Sequence, residues 1–239
     1  MKVRSVAAHL SFIVNSLSFP LYTLHSTLYT LHYTLKMYPL KTAGPALDRA
    51  ERVLIMLHGR GASAESILEL GRELAAPGWA IIAPQAPGFT WYPYSFMAPF
   101  EANAPHFENA LASLTELLAE VEKHHKSEQI YFSGFSQGAC LALEFCLRNA
   151  RRFGGIAAFS GGLIGPEGTK WDAYKASFEQ TPIYMGCDDH DPHILASRFT
   201  ETVKELQARG ANVVNELLPG HGHTISMGQI AKAKAIWGV

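Results

Sequence analysis

From residue 52 onward, short apolar runs alternate with amphipathic segments about five times, and this alternation constrains the chain more than any other feature. "RVLIML" (52–57), "WAIIAP" (79–84), "QIYFS" (129–133), "GIAAFS" (155–160), "PIYMG" (182–186) and "ANVVNELL" (211–218) are short and largely apolar, as buried strands are. Between them, 63–76, 105–125, 137–150, 193–209 and 225–236 read as helices. In 105–125, Phe107, Leu111, Leu114, Leu118 and Val121 recur on one face. Ser63 can cap the first helix, but Ser66 stands where a capping box has Glu or Gln, so no reciprocal cap is expected. Alternation with short connections implies an α/β fold, a mostly parallel sheet covered by helices on both faces. Such sheets bind ligands outside the C-terminal ends of their strands. Function is therefore expected at "HGRG", "GFSQG", "GCDDHD" and "PGHGH", each of which follows a predicted strand.

The chain has 239 residues, 48% apolar and 17% charged, which suits one large domain with a real core. A net charge of −1 excludes the basic footprint of a nucleic-acid binder. Cys140, Cys146 and Cys187 match no zinc motif or disulfide framework, so a cytoplasmic, reducing location is expected. Cys140 and Cys146 lie in an apolar helical run and read as small buried hydrophobes. Residues 1–36 differ from the rest: they hold no Asp or Glu and contain a heptad duplication, "LYTLHST" then "LYTLHYT". The duplication is too short for a coiled coil. The stretch fits neither a secretory signal nor a transit peptide well. It is expected to be a disordered extension or a mis-assigned start, with the folded domain at 37–239. No run of 18 apolar residues exists, so no membrane insertion is expected.

"GFSQGAC" (134–140) places Gly134-x-Ser136-x-Gly138 between a predicted strand and a predicted helix. That is the context of a nucleophile elbow, which holds a serine Oγ exposed above the sheet. The helix N-terminus supplies free N–H groups, and the N–H of Gln137 is one natural oxyanion donor. A serine hydroxyl needs a base. His221 and His223 follow the last strand, and either can serve. An acid is expected after "PIYMG", where Asp188, Asp189 and Asp191 stand. Cys187, His190 and His193 beside them also suggest a metal cluster, but they mix soft and hard ligands, so no metal is assigned. "LHGRG" (57–61) can add a second donor, the backbone N–H of Arg60, whose side chain is expected to be solvated. "GFTWYPYSFMAPF" (88–100) gathers aromatic residues that either roof a site or pack on the domain, with Trp91, Tyr92 and Phe96 as candidate substrate contacts.

Taken together, "LHGRGASAE", "APQAPGFTWYP", "GFSQGAC", "AFSGGL", "GCDDHDPHI" and "PGHGHT" resemble the phospholipase/carboxylesterase family of α/β-hydrolases, which includes the acyl-protein thioesterases. The resemblance covers about residues 37–239. It implies an α/β-hydrolase fold with no separate lid domain, no cofactor, and hydrolysis of short- to medium-chain carboxylic esters or thioesters through an acyl-enzyme. Lysophospholipase or protein deacylase activity is the alternative, and a non-catalytic binding module on the same fold a further one. Residue by residue, Ser136 matches the family's nucleophile, Asp191 its acid and His223 its base. Arg60 and Gln137 match its oxyanion positions. Leu195 stands where the family has Pro. The implied partner is a small acyl ester or thioester. A homodimer is compatible with the resemblance, although the sequence carries no interface signal.

Overall fold

Seven strands form one sheet in the computed structural model, which describes residues 37–220 and 222–239. In chain order they are β1 (Leu40–Ala43), β2 (Arg52–Leu57), β3 (Trp79–Pro84), β4 (Ile130–Phe135), β5 (Gly155–Phe159), β6 (Pro182–Asp188) and β7 (Asn212–Leu218). Their order across the sheet is β1-β3-β2-β4-β5-β6-β7. β1 runs antiparallel to β3, and every other pair is parallel. The expectations for residues 1–36 and for His221 lie outside the described residues.

Five helices cover the sheet: α1 (Ala64–Leu74), α2 (His106–Val121), α3 (Gln137–Arg148), α4 (Ala196–Ala208) and α5 (Met227–Trp237). The two faces of each central strand divide by residue parity, because successive side chains point to opposite sides. In β2, Val53, Ile55 and Leu57 enter the larger core layer with α2, α3 and α4. Leu54 and Met56 enter the other layer, with Ile67 and Leu68 of α1 and Ile230, Ala233 and Trp237 of α5. A strand buried on both faces must be apolar throughout, which is why these strands read as continuous runs rather than alternating ones.

The six predicted strands and five predicted helices all form, with ends moved by a few residues. β1 is the addition. Its four residues, "LKTA", carry no apolar run, and pairing along β3 is what makes them a strand. At the start of α1 the cap is reciprocal after all. Ser66 N donates to Ser63 Oγ at 3.2 Å, and Ser63 N donates to Ser66 Oγ at 3.1 Å. A hydroxyl accepts a hydrogen bond as a Glu carboxylate would, so the serine fills that position. Among the described residues, no helix is long and apolar enough to cross a membrane.

Candidate active site

The turn between β4 and α3 carries Ser136 at φ 54° and ψ −120°, a conformation few non-glycine residues adopt. Its N–H donates to Phe159 O on β5 at 2.9 Å, and its carbonyl accepts from Cys140 N at 3.0 Å, so the strained residue is held from both sides. The flanking glycines are demanded by close approach. A Cβ on Gly138 would lie 2.1 Å from Leu57 O, and one on Gly134 would lie 2.6 Å from the Gly138 backbone. This tight crossing of β4, α3 and the end of β2 is what lifts the Ser136 hydroxyl over the edge of the sheet.

His223 and Asp191 come from the two loops beyond β7 and β6. His223 Nε2 lies 2.8 Å from Ser136 Oγ, and His223 Nδ1 lies 2.8 Å from Asp191 Oδ2. An ionised carboxylate only accepts, so Nδ1 carries the proton and Nε2 is free to accept from the serine. Asp191 is buried, and its other oxygen accepts from His193 N at 2.8 Å and Ile194 N at 3.0 Å. Burial pushes its carboxyl pKa up, but the hydrogen bonds from His223 and the two backbone N–H groups outweigh it and hold the group below its ordinary value. The Cys187 thiol sits 3.6 Å from Asp191 Oδ2; burial first, and that carboxylate second, push its pKa up to about 12. The imidazole of His223 is flanked by the rings of Phe135, with centroids 4.8 Å apart, and His193, at 4.6 Å.

Asp188 and Asp189, the other two candidate acids, do not reach the histidine. Asp188 accepts from His190 N at 2.8 Å and from Gly222 N at 2.7 Å, so it ties its own loop to the one bearing His223. Asp189 lies 2.6 Å from His190 Nδ1, and this contact raises the His190 pKa. Ligating atoms of Asp188, Asp189 and His190 fall within 4.8 Å of one another, but Cys187 and His193 are not part of that cluster. Cys187 turns inward to Asp191 and His193 turns to His223, so the mixed set suggested by the sequence is not assembled.

A cleft of about 510 Å³ opens beside Ser136, lined by Arg60, Tyr92, Phe96, Phe135, Gln137, Ile194 and His223, among others. Neither the Arg60 N–H nor the Gln137 N–H has a protein acceptor among the described residues. The Arg60 side chain is exposed, as the sequence suggested, and it is also tied to the Pro-rich loop. It donates to Pro93 O at 2.7 Å and to Tyr94 O at 2.7 Å. Both bonds are charge-assisted and run to carbonyls of the Pro-rich loop. Gln137 holds the same loop from below: its Oε1 accepts from Trp91 N at 3.0 Å and its Nε2 donates to Tyr92 O at 2.7 Å.

The aromatic loop does both things the sequence allowed. Tyr92 and Phe96 line the cleft while remaining buried. Trp91 does not line it, which corrects its candidacy as a substrate contact. It is 1% exposed, donates its indole N–H to His58 O at 2.8 Å and packs on the His58 ring at 4.8 Å. A large ring with one donor is better satisfied in the core than in a wet cleft. Phe89 and Tyr94 stay exposed. Sequence reasoning passed over His58. Its Nδ1–H donates to Gly59 O at 2.8 Å, its Nε2 accepts from Ala86 N at 3.1 Å, and burial lowers its pKa. It is a neutral brace under the Arg60 turn, and the adjacent glycine was the only hint of it.

The profile of the phospholipase/carboxylesterase family matches residues 44–236. The acyl-protein thioesterase 1 of Saccharomyces cerevisiae is 33% identical over 138 residues, which is 55% of this chain and 56% of that protein. A probable carboxylesterase, SOBER1-like, of Arabidopsis thaliana is 28% identical over 133 residues, 54% of this chain and 50% of that one. The chain thus spans about half the length of the curated relatives it matches. A crystal structure of a phospholipase/carboxylesterase from Dyadobacter fermentans is 45% identical, with a TM-score of 0.82, covering 87% of this chain and 99% of that one.

Proposed function

The chain belongs to the phospholipase/carboxylesterase family, and from that premise we propose that it is a serine hydrolase of carboxylic esters or thioesters. The observation that carries this reading is the unbroken hydrogen-bond chain Asp191–His223–Ser136, with both links at 2.8 Å. Ser136 Oγ attacks the acyl carbonyl carbon while His223 Nε2 takes its proton. The carbonyl oxygen becomes an oxyanion and receives the N–H groups of Arg60 and Gln137. The tetrahedral adduct collapses, the C–O or C–S bond breaks, and His223 returns the proton to the leaving alcohol or thiol. Water then attacks the acyl-Ser136 carbonyl and loses a proton to His223. The second adduct expels Ser136 Oγ, which regains that proton, and the carboxylic acid leaves. Asp191 stays ionised throughout and stabilises the imidazolium.

The cleft volume of about 510 Å³ suits a small substrate, and the apolar surfaces of Phe96, Phe135 and Ile194 suit a short- to medium-length acyl chain. Deacylation of acyl-proteins is a second reading, favoured by the thioesterase name of the yeast relative. The test is hydrolysis of p-nitrophenyl esters from acetate to palmitate by wild type and Ser136→Ala. We expect Ser136→Ala to lose turnover by about 10⁵- to 10⁶-fold and to escape labelling by a fluorophosphonate. Equal turnover by the two proteins would reject the serine mechanism.

A further inference from the structure

The two oxyanion donors come from distant parts of the chain, and they are held in different ways. Gln137 begins α3, whose first eleven residues are all buried. Arg60 sits in a turn between Gly59 and Gly61, where Gly61 has φ +75° and open space around it. Backbone bonds from Gly61 N to Phe89 O at 2.8 Å and from Ala62 N to Gly59 O at 3.1 Å close the turn, and between its two glycines the tilt of the Arg60 N–H is set by what the Arg60 side chain is tied to. One group is bonded to both donor residues. The Thr90 hydroxyl accepts from Arg60 Nη1 at 3.2 Å and donates to Gln137 Oε1 at 3.1 Å, with Tyr92 O a second acceptor at 3.2 Å.

We infer that Thr90 is a positioning residue for the reaction: its hydroxyl couples the loop-borne oxyanion donor at Arg60 to the helix-borne one at Gln137. This inference rests on the serine-hydrolase reading above. Thr90 does not line the cleft, so its hydroxyl acts through Arg60 and Gln137 and not on substrate. Its backbone is extended, at φ −146° and ψ 135°, which a β-branched residue adopts without strain. Thr90→Val therefore removes the bridge and keeps the shape. It also leaves the Arg60 bonds to Pro93 O and Tyr94 O and the Gln137 bonds to Trp91 N and Tyr92 O intact.

Outright loss of one oxyanion donor lowers kcat by about 10²- to 10³-fold, so loosening one donor is expected to cost about tenfold. Acylation and deacylation both pass through an oxyanion, so kcat falls whichever step limits it. KM should stay within about twofold, because Tyr92, Phe96 and Ile194 still form the acyl pocket. Thr90→Ser keeps the hydroxyl and should recover wild-type kcat. The experiment is steady-state hydrolysis of p-nitrophenyl butyrate by wild type, Thr90→Val, Thr90→Ser and Ser136→Ala, with melting temperatures alongside. Should Thr90→Val unfold, Thr90→Ala removes the same hydroxyl with a smaller side chain and must show the same fall in kcat. Wild-type kcat in Thr90→Val overturns the inference, as does a loss that Thr90→Ser fails to restore. An inactive Ser136→Ala beside a normal Thr90→Val rejects the coupling alone. An active Ser136→Ala rejects the serine reading and this inference together.

Discussion

Asp191 is where burial and charge meet in the proposed triad. Its carboxylate is removed from water yet accepts from His223, His193 N and Ile194 N, and these bonds favour the ionised form. Asp191→Asn is close in shape, but its amide can donate toward His223 Nδ1 and impose the wrong tautomer. We expect kcat to fall by about 10⁴-fold with KM little changed. The same group makes a pH prediction. Its pKa is lower in the fold than in the unfolded chain. Its contribution to stability is therefore complete above the ordinary aspartate value of about 4 and is lost as pH falls through the lower folded value. The melting temperature of wild type should drop more steeply on the acid side than that of Asp191→Asn. Parallel acid limbs in the two proteins would contradict this.

The turn joining β4 to α3 is strained at Ser136 and has no slack at Gly138. A Cβ there would meet Leu57 O at 2.1 Å and His58 O at 2.5 Å, both backbone atoms at the end of β2. Leu57 is held in the ladder between β2 and β4, and His58 O accepts from the Trp91 indole, so neither is free to retreat. Gly138→Ala should cost about 3 kcal/mol or more in chemical denaturation, toward the upper end of overpacking effects. It should also reduce activity, because the start of α3 must shift and Gln137 with it. Gly228 in α5 provides the contrast. It is exposed, and the nearest atom to an added Cβ would be Ser226 Oγ at 3.7 Å. Gly228→Ala should raise stability by about 0.4 kcal/mol, the low end for such a change, because Gly228 lies in the first turn and the gain comes from reduced freedom of the unfolded chain.

The aromatic cluster around Trp237 and the proposed triad lie at opposite ends of the sheet. Trp237 closes α5 against Trp79 at the start of β3 and Tyr131 near the start of β4, with ring centroids 6.3 Å and 5.1 Å apart. Its indole also packs on Gly155, the first residue of β5. These contacts lie at the N-terminal ends of the strands, whereas Ser136, Asp191 and His223 lie beyond the C-terminal ends. Trp237→Ala should therefore cost about 3–5 kcal/mol, the usual range for a buried aromatic, while kcat at low temperature stays within about twofold of wild type. A parallel collapse of kcat in still-folded protein would show that the two ends are coupled.

The residues already announce the parallel sheet and the position of its candidate site. Strands buried on both faces must be apolar throughout, and helices on such a sheet must be amphipathic, so both leave marks in local composition. The Gly134-x-Ser136-x-Gly138 turn is legible for the same kind of reason, since a backbone crossing that excludes Cβ atoms leaves glycines behind. Three features left no such mark. β1 exists because β3 offers it an edge. Trp91 turns inward because His58 O accepts its indole N–H. Arg60, Thr90 and Gln137 meet across 30 and 47 residues of chain. Those outcomes depend on which donor finds which acceptor once the chain has closed. Hydrogen-bond pairing over that distance has no periodicity for a sequence to display.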